Sequence, residues 1–306
     1  MKDIRGDVPV IVGGGAVVTR GTMEILAAHW KRHRFPVAFV GVEFSSDFES
    51  YGSEVMEMFN CAKSIGLRDG RQAEGIGRWA STDAVFVHAD LAFALDRPVP
   101  PPARGITAAI NLMPFFQILR AHKFEPGHGL SVWYSKHAIK VFENIEKLAA
   151  AYVAYHRQIA LRYQEMGFRL VHVPFTPEDD LFAKMALRGI RGIEFFRYDR
   201  SIANCEAQIA ASAVLVGSRF HANVAALRCQ TPLRPFCYAQ KVYDLLLEAG
   251  CERKYLQGRN EIIEGTFNID IYTERSGGFV LSEMELNKRS RSATEAIERA
   301  VGLLVS

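Results

Sequence analysis

Residues 212–241 read Ser-Ala-Val-Leu-Val-Gly-Ser-Arg-Phe-His-Ala-Asn-Val-Ala-Ala-Leu-Arg-Cys-Gln-Thr-Pro-Leu-Arg-Pro-Phe-Cys-Tyr-Ala-Gln-Lys. Val214 to Val216 is a short apolar run that stops at Gly217-Ser218, and Ala222 to Leu227 is made of strong helix formers. Leu233 to Cys237 reads as the next strand, and Gln240-Lys241 opens the next helix. Consecutive strand–helix units belong to a parallel α/β sheet, whose loops emerge on one edge, where ligands of open sheets bind. Ser218, Arg219, Phe220 and His221 fall at the first of these turns, and Lys241 falls at the second. The free N–H groups and positive dipole end of a helix favour anions at such a turn. Taken singly, Arg219 and His221 read as helix caps and Lys241 as a solvated charge. Taken together, three cationic or protonatable groups at neighbouring loop ends point to an anion-binding site with an acid/base histidine.

The whole chain sets bounds on this reading. Its 306 residues suffice for about two domains, and 49% hydrophobic with 23% charged residues describes a globular protein. A net charge of +3 gives no argument for nucleic acid. Cys61, Cys205, Cys229, Cys237 and Cys251 are odd in number, widely spaced and without a Cys-x-x-Cys pair. They indicate neither a disulfide framework nor a zinc site, and read as apolar fillers in a reducing compartment. The N-terminus has no apolar signal core and no window reaches the length of a membrane span, so a cytoplasmic protein is expected.

Taken in order, Val8 to Val12 is a strand entering Gly13-Gly14-Gly15, where glycines allow either a tight turn or close approach of a ligand. The helix at about 21–33 offers Met23, Ile25, Leu26 and Trp30 as its buried face, and strands follow at 36–42, 64–67 and 84–87. Asp69 caps the helix of residues 70–79. Arg68 ends its strand as either a structural ion pair or a ligand contact, and Asp90 lies at the same kind of strand end. The proline-rich stretch 98–105 is a connector between an N-terminal domain, 1–97, and a second domain, 106–280. Residues 113–129 are a substrate-facing lid or a loop packed on the core, and His128, between glycines, is a solvent-exposed turn residue. A long helix at about 136–166 precedes further strand–helix units. The last segment, 281–306, ends in a helix with Ile297, Val301 and Leu304 on one face. The basic group 287–291 is a solvated face, with attraction to a negatively charged membrane surface as its second reading.

Val-Ile-Val-Gly-Gly-Gly at 10–15, Leu-Arg-Asp at 67–69, Ala-Asp-Leu-Ala-Phe-Ala-Leu at 89–95, Val-Gly-Ser-Arg-Phe-His-Ala-Asn-Val-Ala-Ala-Leu at 216–227 and Lys241 occur in an order that resembles the polysaccharide pyruvyl transferase family. The resemblance covers roughly residues 8–250. It implies an α/β fold of two Rossmann-like domains facing across a cleft, like the GT-B glycosyltransferases, with the C-terminal helix packing back across the domains. It implies transfer of a pyruvyl group from phosphoenolpyruvate to a saccharide as a ketal in cell-surface polysaccharide biosynthesis, with no cofactor. The acceptor would be polymeric or lipid-linked, which fits weak association with the inner face of the membrane. Two departures stand out. The glycine motif arrives at residue 13, so the N-terminal domain is reduced or the start truncated, and Asn111 stands where many members have arginine.

The donor carries a carboxylate and a phosphate, which call for fixed cations: arginine as a planar fork for the carboxylate, lysine as a point charge for the phosphate. His221 is therefore expected as general acid/base, with Arg219 and Lys241 on the donor. Ser218, Phe220, Gly14, Gly15 and Asn111 are expected to line the substrates. Arg68 and Asp90 are expected from the facing domain, Asp90 either orienting Arg68 or accepting an acceptor proton. No metal-ligand spacing is visible. A glycosyltransferase using a nucleotide sugar and a non-catalytic saccharide-binding relative are the rival readings.

Overall fold

The computed structural model describes residues 8–14, 17–44, 48–97, 105–114, 136–274 and 277–305. Gly15, the connector residues 98–104 and residues 115–129 of the expected lid, His128 among them, lie outside the described residues. The chain divides into two compact units, Met1–Asp96 with Glu283–Ser306, and Arg97–Ser282.

The first unit is built on a parallel sheet of β1 (Val10–Gly13), β2 (Val17–Val18), β3 (Val37–Phe44), β4 (Ser64–Leu67) and β5 (Val85–Val87). The order is β1-β3-β4-β5, with β2 beside the end of β3. A central parallel strand is covered on both faces, which is why β3 is an almost unbroken apolar run and buried along nearly its whole length. Helices α1 (Arg20–His33), α2 (Ser53–Cys61) and α3 (Gly70–Gly77) supply the rest of the core. Met23, Leu26, Ala27 and Trp30 recur at helical spacing and are buried, but Ile25, expected with them, is 64% exposed. It lies about 100° around the helix from Leu26, outside the buried stripe. Asp69 caps α3, its Oδ1 accepting the Arg71 N–H at 2.9 Å.

The C-terminal helix, Glu283–Val305, belongs to this unit and packs on β3, β4 and the 3-10 turn Leu91–Ala94. Its buried face is Leu286, Arg289, Ala293, Ala296 and Ala300, not the Ile297 and Val301 expected, which are partly exposed. Ala296 and Ala300 meet Ala38 and Val40 of β3, and small side chains on both sides let helix and sheet approach closely. The basic group 287–291 is not wholly solvated either. Arg289 is buried, 3.0 Å from Glu285 and 5.8 Å from the centre of the Phe93 ring, while Lys288 remains exposed.

The second unit contains β6 (Thr107–Asn111), α4 (Lys136–Glu165), β7 (Arg169–His172), α5 (Pro177–Ala186), β8 (Ile193–Phe195), α6 (Ile202–Ala210), β9 (Val214–Gly217), α7 (Phe220–Arg228), β10 (Leu233–Cys237), α8 (Gln240–Glu248), β11 (Gln257–Gly258) and α9 (Arg259–Glu264). All six strands are parallel in the order β11-β10-β9-β6-β7-β8. Counted within the unit this is 3-2-1-4-5-6, the doubly wound Rossmann order, which reverses between β6 and β9. The register there places Asn111 opposite Gly217, so the loops after these two strands leave the sheet side by side. This is the crevice at which doubly wound sheets bind ligands.

All five cysteines are free thiols, and Cys61, read as a buried filler, is exposed at the end of α2. Among the described residues no helix is long and apolar enough to cross a membrane.

Among the described residues of the second unit two histidines are fully buried. His156 donates from Nδ1 to the Tyr152 carbonyl at 2.9 Å, and His172 accepts the Leu112 N–H on Nε2 at 3.4 Å; the other ring nitrogen of each is buried without a partner among the described residues. Burial holds both pKa values down to about 4, against 6.5 for a free imidazole. The unfolded chain thus binds more protons below pH 6.5, so the contribution is complete above that pH and is lost as pH falls toward 4. Each site is worth on the order of 3 kcal/mol over that window. The urea midpoint is expected to fall as pH drops from 6.5 to 4, and the fall is expected to flatten in His156→Asn and His172→Gln.

Candidate functional site

The C-terminal edge of the second unit's sheet is held by a fully buried asparagine. Asn111 ends β6; its Nδ2 donates to the Val173 carbonyl beyond β7 at 2.9 Å, and its Oδ1 accepts the Arg219 N–H beyond β9 at 2.8 Å. Its carbonyl also accepts the Ser218 N–H at 3.1 Å. Asn111 was expected as a substrate contact, but its amide is enclosed and committed to backbone, so it acts by placing the Arg219 turn. Ser218 is likewise fully buried. Its Oγ accepts from the Tyr152 hydroxyl at 2.7 Å, and the Tyr152 hydroxyl oxygen accepts the Met113 N–H at 3.3 Å. Burial pushes the Tyr152 pKa well up, so the phenol keeps its proton and remains a donor.

Arg219 is the N-cap of α7 by backbone conformation, with φ −74° and ψ 140°, but its side chain caps nothing. Instead the guanidinium forks onto Asp179: Nε to Oδ2 at 2.7 Å and Nη2 to Oδ1 at 2.5 Å, with Nη2 also 3.2 Å from Thr176 Oγ1. Asp179 is fully buried, stands in the first turn of α5, and receives the Phe175 N–H on Oδ2 at 3.0 Å. A bidentate pair of this kind sets the plane of the guanidinium. Nη1 makes no hydrogen bond among the described residues, and the side chain keeps 22% of its exposure. The arginine is thus fixed by one edge and open on the other.

Phe220 and His221 form the first turn of α7, and Lys241 lies in the first turn of α8. The Phe220 ring, largely buried, is 5.3 Å from the His221 ring in an edge-on arrangement and 5.6 Å from Lys241 Nζ. His221 and Lys241 are each partly buried. One aromatic side chain therefore touches both groups expected to handle a proton and an anion, and the cation over its face is favoured by the ring quadrupole. Gly217, which leads into the turn, has no room for a side chain, since a Cβ would lie 2.3 Å from Asn223 Oδ1.

Within the first unit the expected residues meet in a different arrangement. Arg68, beyond β4, bonds Asp90 Oδ2 through Nη1 at 2.8 Å and Glu43 Oε2 through Nη2 at 2.9 Å. Asp90 Oδ1 accepts the Ala92 N–H at 2.9 Å, so this carboxylate also caps the 3-10 turn. Arg68 was expected either in a structural ion pair or as a substrate contact. It is nearly buried and faces two carboxylates, which offset its charge, so its role is to tie three strand ends together. Asp90 orients it. Gly14 follows β1 with φ +110°, a conformation that favours glycine, in an exposed turn. His88 accepts the Gly41 N–H on Nε2 at 3.0 Å, and Gly41 takes φ +68° inside a β3 bulge to present it.

Four residues of this network escaped the sequence reading. Asp179 and Thr176 stand at the start of α5, where the Thr176 Oγ1 accepts the Asp179 N–H. Tyr152 sits in an apolar helical stripe. Glu43 lies near the end of β3, between Val42 and Phe44. None carries a local pattern that names its partner, since the pairs are separated by 25 to 66 residues.

Among solved structures the chain resembles the UDP-GlcNAc 2-epimerase from Methanocaldococcus jannaschii, with TM-score 0.54 and 10% identity over 95% of this chain and 76% of that one. It also aligns with the UDP-GlcNAc 2-epimerase from Neisseria meningitidis bound to UDP-GlcNAc, at TM-score 0.47 and 8% identity over 96% of this chain and 76% of that one. TarM aligns at TM-score 0.48 and 12% identity over 99% of this chain, which spans 55% of the length of TarM. At such identities the likeness speaks to the fold alone, an α/β chain of Rossmann-like units in the GT-B class. Among curated protein sequences none matches the chain. The family model for polysaccharide pyruvyl transferase matches residues 4–238, across β1, Arg68, Asp90 and the Arg219-x-His221 turn, and the chain belongs to that family.

Proposed function

We infer that the chain transfers a pyruvyl group from phosphoenolpyruvate to two hydroxyls of a saccharide, forming a ketal and releasing phosphate. The observation that carries this reading is that Arg219, His221 and Lys241 all stand at adjacent strand ends of one sheet, with Arg219 pinned by Asp179 and the Phe220 ring beside His221 and Lys241. The Nη1 edge of Arg219 suits the donor carboxylate, and Lys241 suits the phosphate as a point charge. His221 delivers a proton to the methylene carbon, leaving an oxocarbenium-like centre at the carbon that bears the phosphate. A first sugar hydroxyl adds there, phosphate departs, and a second hydroxyl closes the ketal. Of the two hydroxyl protons, one ends on the new methyl group, by way of His221, and the other on phosphate, so the reaction balances without a redox partner.

A glycosyltransferase using a nucleotide sugar would share the fold, and only ligand binding separates the two. Stabilisation by phosphoenolpyruvate but not by a nucleotide sugar in a thermal-shift screen is the expected result, and the reverse overturns the reading.

His221→Ala is expected to lower turnover by about 10²–10⁴-fold, the range for loss of a positioned acid or base, in a phosphate-release assay with phosphoenolpyruvate and a β-galactoside or N-acetylmannosamine acceptor. Arg219→Ala is expected to lose activity mainly through a raised KM for phosphoenolpyruvate; near wild-type turnover in both variants removes the assignment. Asp179→Asn breaks the fork while leaving Arg219 in place. It is expected to cost on the order of 2 kcal/mol in a denaturant titration, less than a fully enclosed pair because Arg219 keeps contact with water, and to raise the same KM.

A further inference from the structure

A cavity of about 320 Å³ opens at the ends of β10 and β11, one strand beyond the Arg219 turn. Its wall includes Tyr238 and Tyr243, the first turn of α8 at Gln240, and Arg259, Asn260 and Glu261 from the first turn of α9. The volume is at the lower end of small-molecule sites, roughly 300–1,000 Å³. The Arg259 guanidinium, the Asn260 amide and the Tyr243 hydroxyl make no hydrogen bond or ion pair among the described residues. Gln240 donates to Asp244 at 2.8 Å, which leaves its carbonyl oxygen available, and Glu261 is held in place by accepting the Gly258 N–H at 2.7 Å.

We propose that this cavity is a subsite for the saccharide acceptor, contained wholly within the second unit; the proposal rests on the pyruvyl-transfer reading and adds where the sugar is held. The chemistry of the wall selects the ligand class. One cation stands against one carboxylate, so the cavity has no surplus charge for a phosphate or diphosphate, and the Glu261 carboxylate repels one. A sugar ring offers hydroxyls that donate and accept at the same atom. An asparagine amide, a glutamine carbonyl, a phenol, a guanidinium fork and a carboxylate together answer both needs. The two tyrosine rings supply apolar surface for the C–H face of the ring. The placement also serves the reaction, because Gln240 of the wall directly precedes Lys241 in the same helical turn.

The test is equilibrium binding of methyl β-galactoside and N-acetylmannosamine to the full chain, by ligand-observed NMR or calorimetry, with phosphoenolpyruvate affinity measured in parallel. Asn260→Ala, Arg259→Gln and Tyr243→Phe are each expected to weaken the sugar that binds by roughly tenfold, about the worth of one hydrogen bond, while phosphoenolpyruvate affinity stays unchanged. Unchanged sugar affinity in all three variants overturns the proposal. So does a wild-type chain that binds neither sugar, or a cavity that takes UDP in preference to both. Loss of sugar affinity in these variants, in a chain that releases no phosphate from phosphoenolpyruvate, upholds the saccharide site and removes the pyruvyl reading alone.

Discussion

The amide of Asn111 is the constraint on which the C-terminal edge of the second unit's sheet depends. The loops beyond β7 and β9, on either side of β6, each carry backbone groups with no ladder partner. One buried amide, donating to Val173 and accepting from Arg219, closes both loops against the end of β6. A neutral side chain is suited to this task because an enclosed charge there would need a counter-ion, and the amide offers one donor and one acceptor pointing opposite ways. The Tyr152–Ser218 bond supports the same turn from below.

Given that scaffold, the Arg219–Asp179 fork decides what the edge can do. The aspartate reaches out from the first turn of α5, where the helix dipole favours a negative charge, and it engages only one side of the guanidinium. The first unit's strand ends contrast with this. Arg68 is enclosed by Glu43 and Asp90, its neighbours take up the charge, and the cluster is cohesive. Similar residue types at the same kind of strand end are thus enclosed in one unit and left partly exposed in the other, and the difference lies in how many carboxylates reach the arginine.

The alternation of apolar runs and helix formers in the sequence, with glycine, proline and capping aspartate between them, was enough to place nearly every strand and helix of both units. Periods of 2 and 3.6 report local geometry directly. Parallel strands with their loops on one edge then follow from the rules of crossover connection, and with them the edge on which Arg219, His221 and Lys241 emerge; the order of the strands is read from the structure. The faces of single helices were less legible. In the C-terminal helix the large apolar residues Ile297 and Val301 stay partly exposed while alanines are buried, because closeness to β3 outweighs side-chain size there.

By itself, then, the chain's order of residues determined the α/β class, the loops that carry the candidate chemistry, the Asp69 cap and the family motifs, all of which depend on neighbours within a turn or a strand. Tertiary structure alone decided which charged and polar groups are committed to the fold: Asn111 and Ser218 enclosed, Arg68 matched by two carboxylates, Arg219 pinned on one edge by Asp179. Those pairings join residues 22 to 108 positions apart, and no local periodicity encodes them. They are fixed only when the sheet brings its strand ends to one edge and burial makes an unpaired polar group costly.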